Sequence, residues 1–133
     1  MANAAPPVTI NRLDHLVLTV ADVEASCAFY STVLGMEVVR FGKGRTALRF
    51  GAQKINLHQH RRELEPKSIK PTPGSGDLCF ITDTPMSVVL AHLERCGVVP
   101  LEPPSPRTGA LGPITSVYFR DPDDNLIEVS RYD

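Results

Sequence analysis

The stretch "RLDHLVLTVADVEASCAFYSTVLGMEVV", residues 12–39, carries the signals of a strand, a helix and a second strand in succession. Its first nine residues alternate and are rich in branched side chains, which predicts a β-strand. Apolar residues then recur at helical spacing from Val23 to Leu34. Asp22 is suited to cap the start of this helix, and Gly35 can adopt the left-handed conformation that ends it.

The pattern of this stretch occurs twice along the chain, as β-α-β-β-β. The first copy continues with a hairpin around Gly42–Gly44, and the second follows a segment rich in proline and charge. Such a recurrence predicts an internal repeat of roughly 50 residues. The remaining predicted strands are 36–42, 45–51, 53–60, 77–84, 113–121 and 125–132, with 98–104, which prolines interrupt, as an edge strand if it is a strand at all. Thr84 is predicted to cap a helix at 85–97 that ends at Gly97, and 105–112 is predicted to be a loop.

The repeat predicts an α+β fold made of two βαβββ modules. Module one covers residues 11–60 and module two covers residues 77–132, joined by a linker at 61–76 within a single domain at 10–133. Each curved mixed sheet uses one face for its helix, so the two remaining faces can pair into a cleft. Residues 1–9 are predicted to be a loose tail.

Composition limits the classes of function. The chain has 133 residues, 42% of them apolar and 22% charged, with a formal net charge of −1, which indicates a globular protein and favours neither a nucleic-acid nor a membrane partner. The sequence has no signal-peptide pattern and no apolar run near the roughly 20 residues of a membrane span, so a cytoplasmic protein is expected. Cys27, Cys79 and Cys96 lack metal-type spacing and are interpreted as buried thiols in a reducing compartment.

Two segments carry a resemblance to a known family. "DHLVLTVADVEASCAFYSTVLGMEVV" and "VYFRDPDDNLIEV" resemble the vicinal oxygen chelate superfamily, which includes glyoxalase I, extradiol dioxygenases and the fosfomycin and bleomycin resistance proteins. The phrases "FGAQKINLHQ", "DLCFIT" and "PRTGALGPI" are similar to glyoxalase-domain-containing proteins of the "domain-containing protein five" type. The resemblance covers residues 12–132. Asp124 stands where the family usually has glycine, and an aspartate can adopt the positive φ that this turn needs.

The resemblance implies a metal-dependent enzyme that chelates a small oxygenated substrate at a divalent ion. Because the same fold hosts isomerases, lyases, dioxygenases and plain binding proteins, it does not imply one reaction. The alternative is a non-catalytic small-molecule binding protein of the bleomycin-resistance type.

Two residues match metal ligands of the superfamily. Alternation along the first strand puts His15 on the face opposite the apolar residues. Glu128 stands between Ile127 and Val129 on the last strand and likewise points away from the apolar face. The resemblance implies that His15 and Glu128 bind a divalent ion, and these donor types suit Zn²⁺, Ni²⁺, Mn²⁺ and Fe²⁺.

The third ligand is less directly indicated. Asn56 occupies the place where glyoxalase I carries a carboxylate ligand, and an amide is a poor ligand for zinc or nickel. His58 lies on the same face two residues further, and we predict it as the third ligand; the alternative is a wall residue that hydrogen-bonds substrate. Aligning the two halves puts Leu78 where the superfamily often has a second histidine.

The seventh strand and the loop before it supply candidate substrate contacts. Ser116 and Tyr118 alternate with apolar neighbours and should share the cleft with Glu128. The resemblance matches them to substrate-contacting positions of fosfomycin-resistance enzymes. Tyr118 could act as an acid, which makes it a catalytic candidate beside Glu128, or it could simply line the cleft. Arg107 could close over an anionic substrate or be an ordinary surface arginine, and Asn56 is a further candidate contact.

The resemblance also implies an assembly. Single-chain, two-module members generally pair module one of one subunit with module two of another. We therefore predict a homodimer with shared sites, in which His15 and His58 come from one chain and Glu128 comes from its partner.

Overall fold

The computed structural model describes residues 6–133, so residues 1–5 of the predicted tail lie outside the described part. Residues 6–14 form no helix or strand, and ten elements follow. They are β1 His15–Val20, α1 Val23–Leu34, β2 Glu37–Phe41, β3 Arg45–Phe50, β4 Gln53–Gln59, β5 Asp77–Ile81, α2 Met86–Arg95, β6 Ser105–Gly109, β7 Gly112–Arg120 and β8 Leu126–Tyr132.

The strands form two four-stranded mixed sheets with the same topology. The first has the order β1-β4-β3-β2 and the second the order β5-β8-β7-β6. In each sheet the strand before the helix pairs in parallel with the last strand of its module, and the other pairs are antiparallel. The fold is therefore α+β with two βαβββ modules, as the repeat predicts.

The ends of the helices follow the sequence signals with one exception. Asp22 accepts hydrogen bonds from the backbone N–H groups of Glu24 and Ala25, and Gly35 ends α1 with a φ of 65°. The predicted capping role of Thr84 is wrong. The residue before α2 is Pro85, which offers no side-chain hydrogen bond to the helix.

The sixth strand lies further along the chain than predicted. Residues 98–104 form no strand, whereas 105–109, predicted as a loop, form β6 at the edge of the second sheet. Three prolines at 100, 103 and 104 remove backbone donors from the earlier segment. Pro106 is tolerated because an edge strand can leave one side of its backbone unpaired.

A single apolar core spans both modules. Leu18, Ile55, Leu93 and Ile127 belong to one buried cluster that joins residues of both sheets and both helices. A buried polar contact also joins the two modules. The Tyr30 hydroxyl of α1 donates a hydrogen bond of 2.5 Å to Oδ2 of Asp121, which follows β7.

Asp121 organises the turn between β7 and β8. Its carboxylate also accepts hydrogen bonds from the backbone N–H groups of Asp123 and Asn125 and from the Asn125 side chain. Asp124 in the same turn has a φ of 64°, so the positive φ expected at this position is confirmed.

The cysteines are free thiols, but only part of the burial prediction holds. Cys27 is buried and Cys96 is half-buried, whereas Cys79 is exposed on β5. Within residues 6–133, no helix combines the length and apolar character that a membrane crossing needs.

Candidate functional site

Each sheet has one face turned away from the core, which we call its open face. Leu16, Leu18 and Val20 of β1 pack into the core, so His15 points to the open face of the first sheet. In the second sheet, Ile127 and Val129 pack into the core, so Glu128 points to the open face. The alternation in the sequence therefore gives the observed orientation of both residues.

The Glu128 carboxylate is anchored through one of its oxygens. Ser116 Oγ donates to Oε2 at 2.6 Å, and Ser130 Oγ lies 2.6 Å from Ser116 Oγ and 3.2 Å from Oε2, within reach of either oxygen. Within residues 6–133, Oε1 accepts no hydrogen bond, and Glu128 lines a cavity on the open face. The carboxylate is thus held in place with one oxygen free to bind a ligand.

Tyr118 lies directly across from Glu128 in the β7–β8 ladder, as the alternation predicts. Arg107 belongs to strand β6 rather than to a loop, and its Nε donates to Oη of Tyr118 at 3.0 Å. Its Nη2 donates to Oε1 of Glu102, also at 3.0 Å. Because Oη accepts from Arg107, the Tyr118 hydroxyl proton remains free to be donated to a bound molecule.

Cys79 also lies on this face, contrary to its interpretation as a buried thiol. It is the Cα partner of Glu128 between β5 and β8, and its Sγ lies 3.3 Å from Ser130 Oγ. Partial desolvation of the sulfur raises the pKa of the Cys79 thiol, although the residue as a whole is exposed.

His15 has a carboxylate next to it. Its Nδ1 lies 2.8 Å from Oδ2 of Asp14, and this hydrogen bond lowers the pKa of Asp14. When Nδ1 carries the proton and donates it to Asp14, Nε2 keeps a lone pair that can bind a metal ion. Carboxylates hold histidine ligands of metal ions in the same way. Asp14 precedes β1, so no strand pattern predicts this contact.

On the open face of each module, a residue of the first strand stands diagonally to a residue of the last strand, and the two modules have the same arrangement. Between β1 and β4, His15 lies opposite Lys54, and Asn56 stands two residues further on β4. Between β5 and β8, Asp77 lies opposite the residue two positions before Glu128. Asp77 therefore occupies in module two the position that His15 occupies in module one.

This relation corrects the alignment that matched Leu78 to His15. Leu78 packs against the core, on the face opposite Asp77 and Cys79. A shift of one residue moves a side chain to the other face of a sheet, and the sequence alignment was displaced by that one residue. The position equivalent to His15 in module two thus carries a carboxylate.

His58 lies apart from His15. It is the partner of Thr19, four residues along the β1–β4 ladder from the His15–Lys54 pair, which corresponds to roughly 13 Å. Within residues 6–133 of one chain, no three His, Cys, Asp or Glu side chains come together to hold a metal ion. The strand register therefore separates His15 from His58 along the sheet, and the ligand role of His58 stays a prediction.

His58 and Asn56 are both buried at the side of a cavity of about 430 Å³. Burial, and then the charge of Arg45, lower the pKa of His58, while Glu63 opposes them. The Asn56 side chain is 4% exposed, and its Oδ1 has no hydrogen-bond partner within residues 6–133. The structure thus places these two residues in a positively charged pocket.

Two βαβββ modules, each with a four-stranded mixed sheet that leaves one face open, define the class of fold to which this chain belongs. The chain belongs to the Glyoxalase/Bleomycin resistance protein/Dioxygenase superfamily, whose family model matches residues 12–129.

Several relatives resemble nearly the whole chain. Virulence protein STM3117 of Salmonella typhimurium is 56% identical over 123 residues, covering 92% of this chain and 85% of that protein. The glyoxalase domain-containing protein RDO1 of Mycosarcoma maydis is 53% identical over 125 residues, covering 94% of this chain and 70% of RDO1. The crystal structure of STM3117 has a TM-score of 0.93 and 55% identity, covering 95% of this chain and 100% of that chain. The structure of an integron cassette protein from the mobile metagenome of V. cholerae has a TM-score of 0.93 and 60% identity, covering 95% of this chain and 98% of that chain.

Proposed function

We propose that the protein is a metal-dependent enzyme that binds a small oxygenated substrate at a divalent ion. The ion is held by His15 of one copy of the chain and by Asp77 and Glu128 of a second copy. The observation that carries this proposal is the Glu128 carboxylate, which Ser116 and Ser130 hold through Oε2 while Oε1 accepts no hydrogen bond from residues 6–133.

The residues fit such an ion. Glu128 has one anchored and one free oxygen, and His15 is oriented by Asp14 with Nε2 free. An imidazole with carboxylates suits Zn²⁺, Mn²⁺, Fe²⁺ or Ni²⁺. The bound ion would supply Lewis acidity for a pair of adjacent substrate oxygens. His58, the third ligand predicted from the sequence, is assigned instead to the substrate pocket.

The charges of the open faces support a shared site. Lys54 lies opposite His15 on the open face of the first sheet, whereas Asp77 and Glu128 lie on that of the second. Bringing the first sheet of one copy against the second sheet of another pairs positive with negative surface. We therefore propose a homodimer in which each site takes residues from both copies.

Tyr118 is the residue that would move a proton. Its hydroxyl stands across from Glu128 and can donate to a substrate oxygen on which negative charge develops. Arg107 fixes the direction of that donation by occupying the acceptor side of Oη. A positioned donor of this kind fits an isomerase, a lyase or a dioxygenase.

The metal content of the protein, purified without chelators or a histidine tag, tests the proposal. We expect about one Zn²⁺, Mn²⁺, Fe²⁺ or Ni²⁺ per chain, because each chain supplies one full set of ligands. His15→Ala and Glu128→Ala should each lose the ion, and His60→Ala, at the end of β4 outside the ligand set, should retain it. If none of the four ions binds the wild type, the enzyme proposal fails and a non-catalytic small-molecule binding protein takes its place.

A further inference from the structure

A positively charged cavity lies on module one, among residues outside the proposed set of metal ligands. Its volume is about 430 Å³, within the range of small-molecule pockets. Four cationic side chains line it, against two carboxylates. The cations are Arg40, Lys43, Arg45 and Arg62, and the carboxylates are Asp22 and Glu24.

Both carboxylates already have partners. Asp22 accepts from the first backbone N–H groups of α1, and Glu24 forms an ion pair with Arg40 at 3.0 Å. Across residues 6–133, Lys43, Arg45 and Arg62 have no carboxylate within ion-pair distance. The cavity thus keeps a positive charge that nothing in the described chain neutralises.

A buried polar residue, Asn56, also lines this cavity. Asn56 is only 4% exposed, and its Oδ1 has no hydrogen-bond partner within the described residues. A buried polar group without a partner is rare in folded proteins. An amide can offer its N–H groups to an anion when its side chain is turned about its last bond. Asn56 therefore supplies a hydrogen-bonding group where the cationic side chains supply charge.

Strand β4 runs from beside His15 to this cavity, which Asn56 and His58 line. Asn56 lies diagonally from His15 on the open face, and His58 stands two residues further, roughly 7 Å along the strand. A molecule held at the ion by two oxygens could thus extend over Asn56 towards His58 and Arg45.

We propose that the substrate is a small organic anion whose carboxylate or phosphoryl group lies in the cavity among Arg45, Arg62 and Asn56. This assignment rests on the proposed function only in that the ion would bind the other end of the substrate. The anion pocket itself is formed by residues of a single chain. The Phe41 ring positions Arg45 for this role. The guanidinium carbon lies over the ring, 4.7 Å from its centroid.

Binding of simple anions to the metal-free, full-length protein tests the pocket separately from the metal site. Inorganic phosphate and succinate are titrated at constant ionic strength, and backbone amide shifts are followed by NMR. We expect saturable shifts at Arg45, Asn56 and their strand neighbours with at least one of the two anions. Phosphate binding indicates a phosphoryl substrate, and succinate binding indicates a carboxylate substrate.

Matched variants separate a site from general electrostatics. Arg45→Gln and Arg62→Gln should each weaken binding about tenfold, as expected from the loss of one charge-assisted hydrogen bond. Arg49→Gln is the control, because Arg49 lies on the same strand but is paired with Glu37 at 2.7 Å outside the cavity. If neither anion saturates, or if all three variants weaken binding equally, the anion pocket is refuted. A protein that binds anions but no divalent ion refutes only the proposed function.

Discussion

Ser116 Oγ donates a hydrogen bond of 2.6 Å to Glu128 Oε2, and the serine side chain is wholly buried beneath the open face. This contact fixes the carboxylate before any ligand arrives. Preorganisation of this kind strengthens metal binding, because the ligand does not have to be ordered at the moment of binding.

Ser116→Ala should therefore weaken metal binding about 10- to 100-fold while leaving the fold intact. Thr115→Val is the control, since Thr115 lies on the same strand but its hydroxyl contacts Asp133. Calorimetric titration of the metal-free variants with Mn²⁺ or Zn²⁺ measures the effect. Equal affinities for Ser116→Ala and the wild type would show that this hydrogen bond does not preorganise Glu128 for the ion.

Asp77 and Leu78 give opposite expectations although they are neighbours. Asp77→Asn should lower metal affinity without loss of stability, because the exposed side chain is a proposed ligand. Leu78→Ala should retain the ion and destabilise the fold by about 2 kcal/mol, because Leu78 packs against the core. Metal titration and urea denaturation of both variants separate the two roles. Asp83→Asn, at an exposed position after β5, controls for the change of charge.

Tyr30 joins the first helix to the turn before β8. Tyr30→Phe should destabilise the protein by about 1.5–3 kcal/mol, because the buried Asp121 carboxylate loses a charge-assisted hydrogen bond. Urea denaturation followed by circular dichroism measures the change. Tyr132→Phe is the control, since the Tyr132 hydroxyl accepts from an exposed backbone N–H at Leu111. A Tyr30→Phe variant as stable as the wild type would show that the contact contributes nothing to the union of the modules.

His58 should titrate below its ordinary pKa of about 6.5. Burial is the main cause and the charge of Arg45 the second, so Arg45→Gln should raise the pKa of His58, whereas Arg49→Gln should leave it unchanged. NMR titration of the imidazole protons measures both. Because the folded-state pKa lies below the unfolded one, the unfolded chain binds the proton more readily. Stability should therefore decrease as the pH falls below about 6.5, and His58→Gln should remove that part of the decrease.

The sequence predicts much of the fold because its signals are local. Alternation and helical spacing identify the strands and helices, and capping by Asp22 and Gly35 is read from single residues. The sixth strand is the exception, since Pro106 argues against a strand and only the pairing with β7 reveals that an edge position tolerates it.

The sequence predicts less of the site, because the site depends on the register in which the strands pair. Which residues lie side by side on two strands is set by their pairing, and no local pattern reports it. The offset between β1 and β4 separates His15 from His58, and the offset between β5 and β8 brings Asp77 beside Glu128. Alternation alone predicts the faces of these residues, which is why the orientation of Glu128 follows from the sequence but its neighbours do not.

The shared site makes a strong prediction about mixtures of defective chains. If His15 of one copy and Glu128 of the other hold the same ion, then His15→Ala and Glu128→Ala homodimers both lack complete sites. In a heterodimer of the two variants, one site carries both lesions and the other carries neither. After dissociation and random reassociation, about half of the chains enter heterodimers, so metal should be restored at about one quarter of the sites by statistics alone, provided the dimer is the binding form.

Metal content of the remixed protein after gel filtration measures this restoration. The control is a mixture of His15→Ala with a His15→Ala,Glu128→Ala chain, in which every heterodimer site has lost at least His15. That mixture should bind no metal, so restoration in the first mixture cannot come from weak residual ligands. If the first mixture stays empty although both variants form dimers, or if the wild type sediments as a monomer that holds its ion, the ligands do not come from two copies. The shared arrangement is then replaced by a site that one chain builds on its own, with dilution leaving its metal affinity unchanged.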